Sequence, residues 1–174
     1  MNRADTAPID GTVCPTWDRS HRDDLYPVKA GYAGMNVQIA CPMDGDLAAI
    51  GPVPIPGARH DAHAHAASGL EGLMNGVHQL ADLGRVGVEG VDLVPYRRLP
   101  GREPPEHHKR DNTLLSGVRA AVERAAAHVK SWRIPSEEGG RYRAPPEKFG
   151  EVLAAVTGLI NLRNLRRFMR VTYE

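Results

Sequence analysis

The hydrophobic periodicity of this chain changes from two residues to between three and four, and this change strongly constrains its fold. Met35–Cys41 alternates apolar and polar residues, which is typical of a half-buried β-strand. In the C-terminal half, apolar residues recur every three or four positions between Leu115 and Trp132, as on one face of an α-helix. Short strands followed by long helices predict an α/β layered domain, with a mixed sheet flanked by helices.

The same periodicities, together with proline and glycine, place the remaining elements. Besides 35–41, we expect strands over 8–14, 47–50, 76–82 and 91–95, with a hairpin turn at Asp44-Gly45. We expect helices over 61–74, 106–133 and 146–169, the first of them capped by Asp61. Loops are predicted over 15–33, 52–57 and 135–146, where polar residues or prolines dominate.

Length and composition exclude several classes of protein. The chain has 174 residues, 41% hydrophobic and 25% charged, which fits one globular domain. It is too short for a (β/α)₈ barrel, which needs about 250 residues. Cys14 and Cys41 provide no disulfide framework, and we expect two reduced thiols. Because no apolar run approaches a membrane span and no secretory signal is present, we expect a cytoplasmic protein that does not bind membranes.

Charge is distributed unequally between the two halves of the chain. Residues 1–95 contain 6 basic and 12 acidic residues, whereas residues 96–174 contain 16 basic and 9 acidic residues. This asymmetry fits a protein that gathers cations at one place and polyanions at another, although solvated helix faces would produce it too. The basic residues that are candidates for binding phosphates are Lys29, Arg119, Arg124, Lys130 and Arg133.

Three carboxylates occupy positions that suggest a shared site. Asp10 lies inside the first predicted strand, Asp82 ends a later strand, and Glu123 borders the apolar face of the long helix. If the two strands are neighbours and the helix crosses them, the carboxylates converge. Like charges at short range repel, so such a cluster takes up protons or recruits a cation. All-oxygen ligands favour Mg²⁺ or Mn²⁺.

A second candidate site is formed by Asp61, His63 and His65, whose Asp-x-His-x-His spacing suits zinc and resembles the metal motif of amidohydrolases. The amidohydrolase fold needs a full barrel, which this length does not supply. Residues two apart on a helix also do not share a face. A polar loop leading into a helix explains the histidines more simply.

Five segments, in chain order, carry a resemblance to a known family: Ile9–Pro15, Gly34–Gln38, Pro56–Asp61, Ala81–Gly87 and Asn112–Ile134. The first resembles a strand bearing a first aspartate, the fourth an Ala-Asp-x-Gly second-aspartate motif, and the last a glutamate helix with a Lys-x-Trp-Arg ending. Together they resemble DDE-type insertion-sequence transposases, in the DDE superfamily endonuclease group that includes Harbinger-like transposases. The resemblance covers nearly the whole chain.

The resemblance implies a ribonuclease-H-like fold in which Asp10, Asp82 and Glu123 hold two Mg²⁺ or Mn²⁺ ions. It implies metal-dependent DNA cleavage followed by strand transfer from a 3′-hydroxyl. His60 and Asp61 would support the site from a nearby turn. The implied partners are transposon ends and target DNA, with a homo-oligomer as the active form and the prokaryotic nucleoid as the location.

This sequence also departs from the family pattern. The stretch 28–33 keeps only Lys29 of a usually basic run, and the second-aspartate motif carries Leu83 and Arg85 in place of lysine and tyrosine. We expect residues 1–174 to be a single catalytic domain without the upstream helical domain that recognises transposon ends, and thus a truncated or degenerate copy. Two alternatives remain: a catalytically inactive DNA-binding remnant, and a small zinc hydrolase using Asp61, His63 and His65.

Overall fold

The fold is an α/β arrangement in which helices pack on both faces of a mixed β-sheet. A computed structural model describes residues 6–17, 19, 21–27, 30–80, 96, 101, 103–136 and 141–172. The predicted fold class, a mixed sheet flanked by helices, is confirmed over these residues. None of the helices described is long and apolar enough to cross a membrane.

The sheet is built around two long, adjacent strands. The strands are β1 (Thr6–Pro15), β2 (Gly34–Ala40), β3 (Ala49–Ile50), β4 (Ile55–Pro56) and β5 (His78–Leu80). Their order is β3-β2-β1-β5, with β4 also paired to β2. β1 and β2 are antiparallel, with Asp10 opposite Ile39. β1 and β5 are parallel, with Pro8 opposite Leu80, so the sheet is mixed.

Two long helices form the main core with one face of the sheet. The helices are α1 (Asp61–Ala67), α2 (Leu70–Leu73), α3 (Glu106–Lys130) and α4 (Phe149–Thr172). Val122, Ala125 and Val129 recur at helical spacing on α3 and pack with Val37 and Ile39 of β2. The buried positions Phe149, Leu153, Val156 and Ile160 of α4 complete this core.

The opposite face of the sheet carries a smaller core. Ala7 and Ile9 of β1 pack there with Ala40 of β2, with Leu70 of α2 and with Met74, which follows α2. Because neighbouring residues of a strand point to opposite faces, β2 is covered on both sides, and all seven of its residues are buried. The prediction of a half-buried strand at 35–41 was therefore wrong in its burial, although its position was nearly correct.

The predicted third strand and the loop after it differ from the structure. Only Ala49–Ile50 pair, rather than the whole of 47–50. In the predicted loop 52–57, Ile55–Pro56 pair with Asn36 and Met35 as β4. Proline is tolerated there because β4 pairs on one side only in the described structure, so the missing N–H leaves no bond unmade.

The predicted helix over 61–74 is interrupted. α1 ends at Ala67, and Gly69 adopts a left-handed φ of 74°, after which α2 begins. The cap also differs from the expectation, because His60 Nδ1 accepts a hydrogen bond from the Ala62 N–H at 3.2 Å. Asp61 is the first helical residue, and its carboxylate is engaged elsewhere.

The later elements differ mainly at their ends. α3 ends at Lys130 instead of residue 133, and residues 146–148 form a 3₁₀ turn before α4. The strand predicted over 76–82 pairs over His78–Leu80. Residues 81–82 and the strand predicted over 91–95 lie outside the described residues. In the predicted loop 135–146, Tyr142 forms a parallel bridge with Thr16.

Candidate active site

Strand β1 presents Asp10 and Gly11 to opposite faces of the sheet. Asp10 lines a cavity together with residues of α3. A Cβ on Gly11 would lie 2.7 Å from Gln38 Nε2 and 3.1 Å from Asp61 Oδ1, on the side of α1. The alternation of side chains along a strand therefore directs Asp10 towards α3.

The cavity between β1, β2 and α3 has a volume of about 270 Å³. Its walls are Asp10, Gly11, Thr12, Ile39, Val122, Glu123, Ala126, Ala127 and Lys130. Two of the three predicted carboxylates, Asp10 and Glu123, thus lie on one cavity although 113 positions separate them in the sequence. Thr12 also lines this cavity, although the sequence pattern does not single it out.

The third predicted carboxylate, Asp82, lies outside the described residues. Strand β5, which ends two residues before it, is the parallel neighbour of β1. Leu80 pairs with Pro8, and Pro8 precedes Asp10 by two positions on β1. The sequence argument required β1 to be next to the strand that precedes Asp82, and β1 and β5 are neighbours up to Leu80.

The two described carboxylates differ in their surroundings. Asp10 is half-buried, and its Oδ1 accepts a hydrogen bond from the Gly11 N–H at 2.8 Å. Glu123 is exposed and follows the buried Val122, so it stands at the edge of the packed face of α3. One carboxylate is thus anchored to the sheet, whereas the other reaches the cavity from the helix.

Lys130 brings a positive charge to the same cavity. Its side chain is half-buried, and its charge acts on the neighbouring Cys14 thiol. Burial raises the pKa of Cys14 to about 12, and the Lys130 ammonium opposes this rise. Lys130 therefore lies over β1 close to Cys14, where it can compensate carboxylate charge or bind a phosphate.

The donor set of the cavity suits a hard divalent cation. Carboxylate oxygens are the ligands that Mg²⁺ and Mn²⁺ prefer. The volume of about 270 Å³ exceeds the roughly 30 Å³ share of one water several times, so hydrated ions fit. Within the described ranges, no group of three or more His, Cys, Asp or Glu side chains is placed to hold a metal. Asp10 and Glu123 thus need a further ligand.

A hydrogen-bonded network connects β2 to α1 on the face of the sheet opposite the cavity. Gln38 Nε2 donates to Asn36 Oδ1 at 2.7 Å, and Asn36 Nδ2 donates to Asp61 Oδ1 at 2.9 Å. Asn36 and Gln38 are buried in the middle of β2. The sequence signal for them was present, since two amides alternate with apolar residues in one strand, but it was interpreted as exposure to solvent.

Comparison with known proteins identifies the family of this chain. The family model of the DDE superfamily endonucleases matches residues 9–161, most of the chain. This chain belongs to the DDE superfamily endonucleases. The match includes β1 with Asp10, α3 with Glu123, and most of α4. The resemblance inferred from the five segments is therefore confirmed.

A curated relative supports the same family for this DDE endonuclease chain. A protein from Streptomyces albus G, named as a transposase for insertion sequence element IS112, is 30% identical over 129 residues. The aligned region covers 72% of this chain and 48% of the relative, so the chain spans about half the length of that protein. No solved structure is significantly similar to this chain.

The basic residues predicted to bind DNA are distributed unevenly in this DDE endonuclease chain. Lys130 lines the cavity, and Arg119 and Arg133 are exposed on or just beyond α3. Arg124 packs on the turn between β2 and β3, where its Nη2 donates to the Asp44 carbonyl at 3.5 Å. Lys29 lies outside the described residues.

The supporting residues of the Pro-Gly-x-x-His-Asp turn have distinct structural roles. His60 caps α1, and Asp61 accepts the Asn36 amide, so together they fix α1 against β2. Gly57 permits a close approach, because a Cβ there would lie 2.5 Å from the Gly34 carbonyl oxygen.

The zinc site predicted from Asp61, His63 and His65 is not formed. His65 is fully buried, whereas His63 is exposed. Asp61 is bonded to Asn36, and these three described side chains do not make a metal-binding group. The zinc-hydrolase hypothesis was therefore wrong, for the geometric reason that residues two apart on a helix point in different directions.

Proposed function

We propose that this chain is the catalytic domain of an insertion-sequence transposase, which cleaves DNA strands and joins them to a target with divalent metal ions. The observation that carries the proposal is the shared cavity of Asp10 and Glu123, reached from a strand and from a helix. Family membership and the relative named as an IS112 transposase support the reaction class. Asp82 is proposed as the third ligand.

Electrostatics supports a cation at this cavity. Carboxylates that share one cavity repel each other, and a divalent ion bound between them would turn this repulsion into attraction. When bound, two Mg²⁺ or Mn²⁺ ions would activate the attacking oxygen and stabilise the leaving oxygen of a phosphodiester. Asp10, Asp82 and Glu123 are the residues proposed to hold them.

The other residues of the cavity would position the DNA. The Gly11 N–H holds the Asp10 carboxylate through a hydrogen bond to Oδ1. The Lys130 ammonium lies on the same cavity and can pair with a phosphate beside the scissile bond. Arg119 and Arg133 are exposed on the same helix or just beyond it and extend the positive charge for the backbone. Arg124 and Lys29 are retained as weaker candidates for the same role.

The proposal includes the assembly and the setting of the enzyme. A mixed sheet with antiparallel β1–β2 and parallel β1–β5 supports a ribonuclease-H-like arrangement. Transposon ends and target DNA are the proposed substrates, a homo-oligomer is the proposed active form, and the prokaryotic cytoplasm with its nucleoid is the proposed location. A role as one catalytic piece of a longer transposase agrees with the partial coverage of the IS112 relative.

The decisive experiment measures nicking of supercoiled plasmid DNA with Mg²⁺ or Mn²⁺. We expect metal-dependent nicking by the wild type and a loss of at least 100-fold in Asp10→Asn, Asp82→Asn and Glu123→Gln. Glu151→Gln is the matched control, because Glu151 is exposed on the first turn of α4 and outside the cavity. Control activity should equal that of the wild type.

A metal titration keeps the proposal testable at the level of binding. Mg²⁺ should raise the thermal midpoint of the wild type, since a ligand that binds only the folded state stabilises it. The shift should be smaller in Asp10→Asn and Glu123→Gln and unchanged in Glu151→Gln. A wild type that binds DNA but neither nicks it nor responds to metal would contradict the proposal and favour the inactive remnant.

A further inference from the structure

A segment near the C-terminal helix extends the sheet beyond the end of β1. Thr16 and Tyr142 form a parallel bridge, with the Trp17 N–H donating to the Tyr142 carbonyl at 2.8 Å and the Tyr142 N–H to the Pro15 carbonyl at 3.1 Å. The Tyr142 ring points inward and contacts Phe149, with ring centroids 4.8 Å apart. On either side of the buried Tyr142, Arg143 is exposed and Arg141 is half-buried.

Both flanking residues are arginines, and each lies over an aromatic ring. The guanidinium carbon of Arg143 is 4.2 Å from the centroid of the Trp17 ring. That of Arg141 is 5.7 Å from the centroid of the Tyr32 ring. We call these four residues, Trp17, Tyr32, Arg141 and Arg143, the aromatic–basic patch. It lies outside the cavity that contains Asp10 and Glu123.

The backbone of the patch is fixed by hydrogen bonds, whereas the side chains of Trp17 and Arg143 are exposed to solvent. Arg19 Nη2 donates to the carbonyls of Arg143 and Ala144 at 3.0 and 2.7 Å, which fixes the backbone that carries Arg143. Trp17 nevertheless keeps 48% of its surface exposed, and Arg143 is exposed as well. An indole this exposed is unusual, because aromatic side chains gain most when buried.

The backbone at Arg141 is also unusual. Its φ of 59° lies in the left-handed region, which residues other than glycine, asparagine and aspartate seldom adopt. Such conformations cost on the order of 1 kcal/mol or more and are concentrated at functional sites. The left-handed Arg141 belongs to the segment whose two arginines, Arg141 and Arg143, lie next to the Tyr32 and Trp17 rings.

The charges of the patch are available to a ligand. Among the described residues, no carboxylate pairs with Arg141 or Arg143. Two nearby acids are already paired, since Arg22 binds Asp24 at 2.8 Å and Glu147 at 3.3 Å. Burial raises the pKa of the Tyr142 phenol, and a third acid, Glu151, is near enough to raise this pKa further. Glu151 nevertheless forms no ion pair with either patch arginine in the described structure. The patch therefore presents two guanidinium groups and two rings, and no described carboxylate forms an ion pair with either guanidinium.

We propose that the aromatic–basic patch binds single-stranded DNA, with a base stacked on the Arg143–Trp17 plane and phosphates paired with Arg141 and Arg143. Guanidinium planes and aromatic rings both accept stacked bases, and arginine pairs with phosphates in a planar geometry. Stacking of this kind needs an unpaired base, because in a duplex each base is already stacked. The patch would thus distinguish single strands from duplex.

The position of the patch suggests where the single strand would come from. Trp17 follows Asp10 by seven positions on or next to β1, a distance of about 23 Å along an extended strand. Lys130 lies near Cys14, between them. A strand freed at the cavity would pass Lys130 and reach the patch. This source depends on the proposed nuclease function, whereas the binding itself does not.

The test uses the fluorescence of Trp17. The chain has two tryptophans, and Trp132→Phe leaves Trp17 as the only one. This change should be tolerated, because Trp132 Nε1 is buried without a hydrogen-bond partner in the described structure. In EDTA, a 12-nucleotide oligo-dT should quench Trp17 saturably, and the same length of duplex should quench it much less.

Variants separate stacking from charge. By anisotropy of a labelled oligo-dT, Trp17→Ala should weaken binding at least 5-fold, whereas Trp17→Phe should retain most of it. Arg143→Ala should weaken binding and reduce the slope of log K against log salt by about 0.7. Arg143→Lys should recover the slope but not the affinity. Arg110→Ala, an exposed arginine about 30 Å from Lys130 along α3, is the control and should match the wild type.

Several outcomes would overturn the inference. They are absence of quenching by oligo-dT, equal quenching by duplex, or equal affinity of Trp17→Ala and wild type when circular dichroism shows both folded. Because the assay contains no divalent metal, it is independent of nicking. If the chain binds oligo-dT through the patch but does not nick DNA, this inference stands and the proposed function fails. If the chain nicks DNA but does not bind oligo-dT through the patch, the proposed function stands and this inference fails.

Discussion

The side-chain amide of Asn36 donates a hydrogen bond to Asp61 Oδ1 at 2.9 Å and so joins the centre of β2 to the first residue of α1. Gln38 extends the connection by donating to Asn36 Oδ1 at 2.7 Å. These residues occupy two of the segments that resemble transposases. These side chains join β2 to α1 on the face of the sheet opposite Asp10, and they do not line the cavity.

Replacing Asn36 with alanine should therefore destabilise the fold. Asn36 is only 3% exposed, and the change removes a hydrogen-bond acceptor from the buried Gln38 amide and a donor to Asp61. A buried polar group that loses its partner costs about 1–3 kcal/mol, and we expect a loss of about 2 kcal/mol in urea unfolding. The comparison is Asp61→Ala, which should also cost about 1–3 kcal/mol, because it removes the acceptor of the buried Asn36 amide.

A double-mutant cycle supplies the control for this prediction. Asn36→Ala and Asp61→Ala should together cost less than the sum of their separate effects, since they remove the same bond. Strict additivity would show that the bond contributes nothing to stability.

Gly11 should not tolerate a side chain. A Cβ at this position would lie 2.7 Å from Gln38 Nε2 and 2.9 Å from Asn36 Oδ1, both within the buried network. Gly11→Ala should lower the free energy of unfolding by about 1–3 kcal/mol. Gly117→Ala in α3 is the matched control, because its Cβ would meet nothing within 4 Å and should stabilise the helix by up to about 1 kcal/mol. Equal effects at both sites would contradict the clash.

Stability should fall at alkaline pH because of the two buried thiols. Burial raises the pKa of Cys14 and of Cys41 to about 12, whereas an unfolded thiol titrates near 8.5. Above pH 8.5 the unfolded state releases protons that the folded state keeps, so unfolding becomes easier as the pH rises. Between pH 9 and 10, the free energy of unfolding should fall, for each thiol, by nearly the maximum of about 1.4 kcal/mol per pH unit.

Urea unfolding at pH 8, 9 and 10 measures this slope. The double variant Cys14→Ala and Cys41→Ala should start less stable, because two core positions are truncated, yet lose less stability with rising pH. Parallel profiles for the variant and the wild type would assign the alkaline loss to other groups.

Local pattern accounts for the elements that were predicted well. The alternation at 35–41 marked β2 within one residue at each end, and the spacing of apolar residues marked most of α3 and α4. Both signals depend on the repeat of a single element, which the sequence contains in full. The motifs around Asp10 and Glu123 likewise sufficed to indicate the family that the comparison confirmed.

Contacts between residues distant in the sequence determined the features that local sequence patterns did not predict. β4 exists because Ile55–Pro56 find β2 beside them, against the proline content of the segment. The amides of β2 are buried because α1 covers them, which no periodicity within β2 reveals. His60 rather than Asp61 caps α1, because Asp61 has Asn36 as a better-placed partner.

The sequence by itself determined the strand that carries Asp10, the helix that carries Glu123, and the oxygen chemistry of both side chains. Only the tertiary structure decided that they line one cavity with Lys130, and that Arg143 lies over Trp17 far along the chain. The physical reason is that side-chain type and periodicity are local properties, whereas convergence depends on register and packing between elements distant in sequence.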